Sequence, residues 1–363
     1  MNPFFQHIPR RLESLRRMMT QAGLDALCIT HLPNIRYLTQ FTGSAGTAVV
    51  DGRAIHLCLD SRYWSQAEDE TRQVEILQSR TLIDDDVIDF ISKAGYRRVG
   101  FESRHASYRL YHHLHSKLAG QLSLQPCDGF VERIRRTKDS AEVDAISGAL
   151  GQTTAAFQQT LPRLRAGMTE LEAAAELEYQ LRRNGSERLA FDTIVASGPR
   201  SALPHGIASS RNIQPGDVVV FDFGLVQQGY CSDFTRMVCF GQPPPDFTST
   251  YQIVRNALET VAAGLRPDMP TDDADRLARS VIETAGFGPH FGHGTGHGLG
   301  LEIHEEPSVN RRQRSPLGCG TIFTLEPGIY LPGRFGIRIE DVACMTSEGC
   351  RVLTDFSHDP IVI

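Results

Sequence analysis

Five side chains in this sequence have the types and spacing to do chemistry together. Asp222 and Asp233 lie in GDVVVFDFG and YCSDFTR, Glu326 and Glu340 in GTIFTLEPG and FGIRIED, and His297 in PHFGHGTGHGLGLEIHEEP, from Pro289 to Pro307. Asp222 follows VVVF and Glu326 follows IFTL, so both acids leave apolar strands that belong in a core. An ionised carboxylate there loses its solvation unless something positive meets it. With His297 the set is hard and oxygen-rich, suited to manganese, cobalt, iron or zinc. Four carboxylates exceed what one divalent ion needs, which points to two ions sharing bridging acids. Two ions about 3.5–4 Å apart make water a nucleophile at neutral pH and stabilise a tetrahedral centre.

Taken singly, each residue has a plainer reading. Asp222 or Asp233 could serve a turn, Glu326 could begin one before Pro327, and Glu340 beside Asp341 and Arg338 could belong to a surface ion pair. A weak internal repeat shifts the balance. LRAGMTELEAAAELEYQLRRNG, from Leu164, resembles LRPDMPTDDADRLARSVIETAGFG, from Leu265, and each is followed by a strand pair. Asp222 falls where Glu326 does, and Asp233 where Glu340 does. Two copies of a helix-then-hairpin unit predict a pseudo-symmetric domain whose acids converge on its axis.

The histidine run does not read as a helix, although His293 and His297 are four apart as in HExxH. Glycine at every second position costs roughly 1 kcal/mol each in a helix, so strand or tight loop is expected. In extended chain His293 and His297 share a face, and the glycines opposite leave room for another backbone, a metal or a substrate. No G-x-G-x-x-G or phosphate-loop pattern fits the run, which excludes nucleotide binding by those motifs. No G-x-S-x-G elbow occurs either.

The elements that must position these groups divide into two expected domains, 1–130 and 131–363, because a single core stops growing near ~250–300 residues. In the front part, DALCIT, TAVV and AIHLCL read as buried strands, and SRYWSQAEDE, VIDFISKAG and YRLYHHLHSKLAG as helices, an α/β layer pattern. The pattern breaks between Pro126 and Lys138. Asp139 to Glu142 then form a capping box, with Val143, Ile146, Leu150, Thr153 and Phe157 on one face. At the start, Ile8, Leu12, Leu15 and Met19 predict an amphipathic helix with a solvated basic face rather than a targeting peptide. A net charge of −6 argues against nucleic acid. No apolar run approaches the ~20 residues of a membrane span. Eight cysteines without a C-x-x-C pair fit reduced thiols in the cytoplasm, Cys231 among them as an inert core residue.

These motifs, with FDTIVASGPRSALPHG before them and NIRYLTQFTGSAG and DSRYWSQA in the front part, resemble the proline-specific branch of the pita-bread metallopeptidases, prolidases and aminopeptidase P. The resemblance implies a mixed α/β (α+β) protein: a pita-bread (creatinase/aminopeptidase) catalytic domain behind a smaller creatinase-like α/β domain. It implies Asp222 on one metal, His297 and Glu326 on the other, Asp233 and Glu340 bridging, and two divalent ions, manganese first, with cobalt or zinc as alternatives. It also implies substrate contact at His205, a steadying role for His304 at the scissile carbonyl, a pocket wall at His293, Arg338 beside the bridging glutamate, proton transfer by Glu326, and a homodimer.

The expected substrate is an Xaa-Pro peptide. Its scissile nitrogen is a tertiary amide with no N–H, so the enzyme itself must protonate the departing ring nitrogen. An imidazole suits that task near neutrality, which favours His304 or His205. Dipeptides are the first expectation and longer Xaa-Pro peptides the second. A methionine aminopeptidase shares the ligands without the large front domain, a creatine-type hydrolase lacks them, and a non-catalytic peptide-binding protein on this fold would have lost them.

Overall fold

The structure is a computed structural model and describes residues 2–363. The chain divides after Arg135 into two compact units, the second being Arg136–Ile363. In the stretch left unpatterned above, Phe130–Arg135 forms a short helix, tied to the first unit by Arg135 Nη1 donating to Asn34 Oδ1 at 2.7 Å.

The first unit is built on a six-stranded mixed sheet. Its order is Glu75–Gln78, Ile55–Leu59, Thr47–Asp51, Ala26–Ile29, Arg98–Glu102, Ser123–Cys127. The three central strands pair antiparallel, and the outer pairings are parallel, with helices between. The helices read as VIDFISKAG and YRLYHHLHSKLAG span Ile83–Ala94 and Tyr108–Leu118. The former begins earlier than its apolar pattern because Asp84, Asp85 and Asp86 fill its first turn, where the helix dipole favours negative charge. Ser107 caps the latter, its hydroxyl accepting from Leu110 N at 3.1 Å. The first helix, Ile8–Gln21, buries Ile8, Leu12, Leu15 and Met19 as patterned. Its basic face is not wholly solvated: Arg11 is buried, stacks on the Tyr37 ring and donates to Tyr37 O at 2.7 Å.

The second unit repeats one plan twice. In the first half, helices Ser140–Thr160 and Glu170–Arg183 precede the antiparallel strands Ile194–Ser197, Val218–Phe223 and Phe234–Cys239. In the second, Phe247–Gly264 and Thr271–Thr284 precede Gly296–Gly298, Ile322–Leu325 and Asp341–Thr346, paired in the same order. The capping box at Asp139 and Glu142 opens the first helix, and a second box, Thr169 with Glu172, opens the next. The halves are joined by buried cross-pairs: Arg338 of the second meets Asp222 of the first, and Arg236 of the first meets Asp341 of the second.

Phe157, on the long capped helix, is packed by Phe221, Phe223, Phe234 and Phe356 at centroid distances of 5.2–5.8 Å. Three of those rings lie on the strands that carry or adjoin Asp222 and Asp233, so this apolar cluster backs the acids. Phe157→Ala should therefore cost about 3–5 kcal/mol through the cavity it leaves. Chemical unfolding checks this; a loss under about 1 kcal/mol would mean that the surrounding rings close the gap.

Candidate metal centre

Asp222 sits within the strand Val218–Phe223, and Asp233 just before Phe234–Cys239. Glu326 and Glu340 flank the corresponding strands of the second half, immediately after Leu325 and before Asp341. Asp222, Asp233 and Glu340 are buried, and so are Arg338 and Asp341, which rules out the surface ion pair considered for Glu340. One potential ligand atom from each of Asp233, His297 and Glu340 falls within 4.8 Å of the others. Glu326 Oε1 is 3.7 Å from His297 Nε2. Asp222 stands at the edge of this group, its Oδ2 accepting from Arg338 Nη2 at 2.5 Å. Asp233, His297, Glu340 and Glu326 thus converge, and Asp222 is near enough to act electrostatically on Asp233 and Glu340.

Their electrostatics call for positive charge. Burial, then repulsion from neighbouring carboxylates, raises the Asp233 and Glu340 carboxyls well above their ordinary range. His297 goes the other way: burial holds its imidazole neutral. Its Nδ1 lies 3.1 Å from Gly298 O, a carbonyl that can only accept, so Nδ1 carries the proton. Nε2 is left with a lone pair facing Asp233 Oδ2 at 3.5 Å and Glu326 Oε1 at 3.7 Å. Three acceptors aimed at one another need a cation or a shared proton between them, and an imidazole held at Nδ1 by a carbonyl is the ordinary posture of a metal-ligating histidine. Asp222 Oδ1 adds a buried oxygen with no hydrogen-bond partner. The donor set therefore fits divalent metal ions.

Glycine makes the approach of these strands possible. A Cβ at Gly296 would lie 1.9 Å from Thr324 O, and one at Gly298 2.5 Å from Glu306 O. The run is part strand and part loop: Gly296–Gly298 is extended and pairs antiparallel with Glu305–Val309, with a register shift after His297. His293 lies in the loop before this strand and does not join the ligand group.

His293 instead ends a chain of hydrogen bonds. Its Nδ1 donates to Gly294 O at 2.8 Å, so Nε2 accepts from the Tyr330 hydroxyl at 2.8 Å. Tyr330 in turn accepts from Arg338 Nη1 at 2.8 Å, and burial lowers the basicity of His293. Arg338 also donates to Thr235 Oγ1 and Pro204 O, and the Thr235 hydroxyl donates to Glu340 Oε2 at 2.7 Å. One guanidinium thus ties Asp222, Glu340 through Thr235, and His293 through Tyr330. Its Pro204 contact reaches the residue before His205. His205 and His304 are exposed at the pocket edge. The His304 ring lies against His297, with centroids 4.3 Å apart, and desolvation followed by His297 holds it below its ordinary pKa.

Several positioning groups escaped sequence reading. Tyr330 was in view within LEPGIY but carried no chemical signal of its own. Glu170, fully buried, accepts from Ser197, Arg200 and Ser209 and so pins the segment bearing His205. Asp275 accepts from Thr295 and Arg279, and Arg279 donates to His293 O at 2.7 Å. All eight cysteines are free, and burial pushes the Cys231 thiol up to about 12.

Comparison with known proteins covers nearly the whole chain. Residues 144–347 match Metallopeptidase family M24, and residues 11–137 match the Creatinase/Prolidase N-terminal domain. An uncharacterised peptidase of Bacillus subtilis is 39% identical over 97% of this chain and 100% of its own. The Xaa-Pro dipeptidase of Pyrococcus furiosus is 33% identical over 95% of this chain and 97% of its own. Among solved structures, an Xaa-Pro dipeptidase from Bacillus anthracis superposes with a TM-score of 0.95 at 38% identity, covering 98% of this chain and all of that one. An X-Pro aminopeptidase from Thermotoga maritima gives 0.90 at 37% identity, covering 97% and 100%.

Two measurements test the centre. Asp233→Ala and Glu340→Ala should each lose bound metal by elemental analysis; full occupancy in both would remove them as ligands. Because the folded-state pKa values of Asp233 and Glu340 are raised, the metal-free fold has their stabilising contribution below the ordinary carboxylate range. It loses that contribution as pH rises through the folded values. Metal relieves the repulsion, so the Tm gained on adding manganese should grow between about pH 5 and pH 7.5. A gain independent of pH contradicts this.

Proposed function

Because the chain belongs to metallopeptidase family M24, we propose that it is an Xaa-Pro dipeptidase holding two divalent ions, manganese first, on Asp222, Asp233, His297, Glu326 and Glu340. The observation that carries the reading is the His297 lone pair turned towards two carboxylate oxygens, with a partnerless Asp222 oxygen nearby. Bound there, the ions supply Lewis acidity, polarising a carbonyl and making water nucleophilic at neutral pH.

The chain's own groups do the rest. Arg338 anchors Asp222 by a direct hydrogen bond and, through Thr235, fixes the Glu340 carboxylate. Glu326, with 19% of its side chain exposed, is the acid best placed to exchange a proton with the pocket. His304 steadies the scissile carbonyl oxygen by donating an imidazole N–H. The proton that Glu326 would take from the attacking water then passes, directly or by way of His304 or His205, to the proline nitrogen on leaving, since a tertiary amide brings none. His293 stays neutral and forms wall, its two nitrogens already occupied.

Among the described residues no helix is long and apolar enough to cross a membrane. The eight free thiols suit a reducing compartment, and we place the enzyme in the cytoplasm. The family resemblance favours a homodimer.

Hydrolysis of Ala-Pro and Ala-Pro-Ala, with and without manganese, tests the proposal. Metal-dependent cleavage of Ala-Pro is expected. Preference for the longer peptide would move the assignment to aminopeptidase P, as for the Thermotoga relative, and no cleavage of either by fully metallated protein would favour a peptide-binding role. His304→Ala should keep its metal while kcat falls ~10²-fold or more. Unchanged turnover would remove His304 from the chemistry.

A further inference from the structure

Away from the metal ligands, one charged pair is withdrawn almost completely from water. The Lys138 ammonium lies 3.0 Å from Glu305 Oε2, with 1% and 5% of the two side chains exposed. Desolvating two ions offsets most of their attraction, so a buried pair adds little net stability and is better understood as fixing geometry. The geometry concerned is that of the neighbouring loop.

Glu305 directly follows His304. Its second oxygen, Oε1, accepts from Glu302 N at 3.1 Å. Gly300 N donates to Glu302 O at 3.0 Å, while Gly300 O accepts from Cys231 N at 2.7 Å, two residues before Asp233. A Cβ at Gly300 would lie 2.6 Å from Glu305 Oε1. Residues 299–304, which join His297 to His304, are therefore folded over the Glu305 carboxylate. Lys138 is held equally firmly from behind. Its N–H donates to Gly320 O at 2.8 Å, Thr137 bridges to Thr321, and Asp139 caps the helix that follows.

We propose that Lys138 and Glu305 are positioning residues for His304, setting where the 299–304 segment rests and hence where the His304 imidazole meets the substrate. The proposal rests on the role given to His304 above.

Lys138→Met and Glu305→Gln, each alone and combined with His304→Ala, are to be compared as manganese-loaded full-length proteins on Ala-Pro. Amide hydrogen exchange of residues 299–306 is followed in parallel. Glu305→Gln keeps an acceptor for Glu302 N and guards against a Lys138→Met variant that fails to fold. Each single variant should retain its metal, lower kcat by about 10²-fold with KM within about twofold, and speed exchange in the segment. In the His304→Ala background neither should cost further activity, because the effect passes through that side chain. Unchanged kcat and exchange, losses that multiply fully with His304→Ala, or loss of metal would each overturn the proposal. If the unaltered enzyme cleaves neither peptide, the functional reading falls alone, and the exchange measurement still decides whether the pair positions the loop.

Discussion

The structure depends on one constraint: carboxylates of like charge are held together inside a protein. Water would ordinarily keep such groups apart or protonate them, and here burial does push Asp233 and Glu340 towards the protonated form. Among the described residues only one side-chain cation, Arg338, stands in direct contact with the group, at Asp222. It leaves the oxygens around His297 Nε2 uncompensated. A fold that spends burial on four acids and a single guanidinium is arranged for charge supplied from outside, and the neutral, Nδ1-protonated state of His297 fits divalent metal better than a proton.

Internal duplication explains how those acids meet. Each half presents two on neighbouring strands, so neither half could assemble the set alone. The halves are not interchangeable, however. Asp222 lies opposite Thr235 within its strand pair, whereas Glu326 and Glu340 lie just outside theirs. The cross-pairs follow the same logic: Arg338 reaches from the second half to Asp222, and Arg236 from the first to Asp341, next to Glu340. Arg236 also donates to Glu340 O and to carbonyls of Phe356 and Ser357, so the C-terminal residues brace the backbone at Glu340.

Sequence reading reached this cluster of acids and imidazole because its signal is local. An acid after four apolar residues, or a histidine among alternating glycines, is anomalous within a few positions, and the repeat doubles each anomaly. The helices and strands of the front unit were legible for the same reason, save where Asp84–Asp86 extended a helix beyond its apolar pattern. Supporting groups were not legible. Tyr330, Thr235, Glu170 and Asp275 are ordinary residues in ordinary contexts until the fold brings their partners near. Lys138 and Glu305 stand 167 positions apart, and nothing in either neighbourhood announces the other. Arg11 shows the converse error, an arginine read as solvated because its partner, Tyr37, lies on another helix.

The histidines show why the supporting groups matter to the chemistry. His293 has both ring nitrogens committed and His297 has its Nδ1 committed to a backbone carbonyl, so geometry fixes which nitrogen of each carries the proton. His205 and His304 are exposed. A substrate whose leaving nitrogen carries no proton needs groups of the second kind, while the metal needs one of the first. Burial separates the two kinds: His293 and His297 are lodged against backbone carbonyls, whereas His205 and His304 lie exposed on loops. Loops are poor supports for that work unless something rigid underlies them. Each of the segments bearing His205, His293 and His304 is anchored by a buried carboxylate of its own, Glu170, Asp275 and Glu305 respectively. The acids that do not face metal thus perform the complementary task, holding in register the bases that must face the peptide.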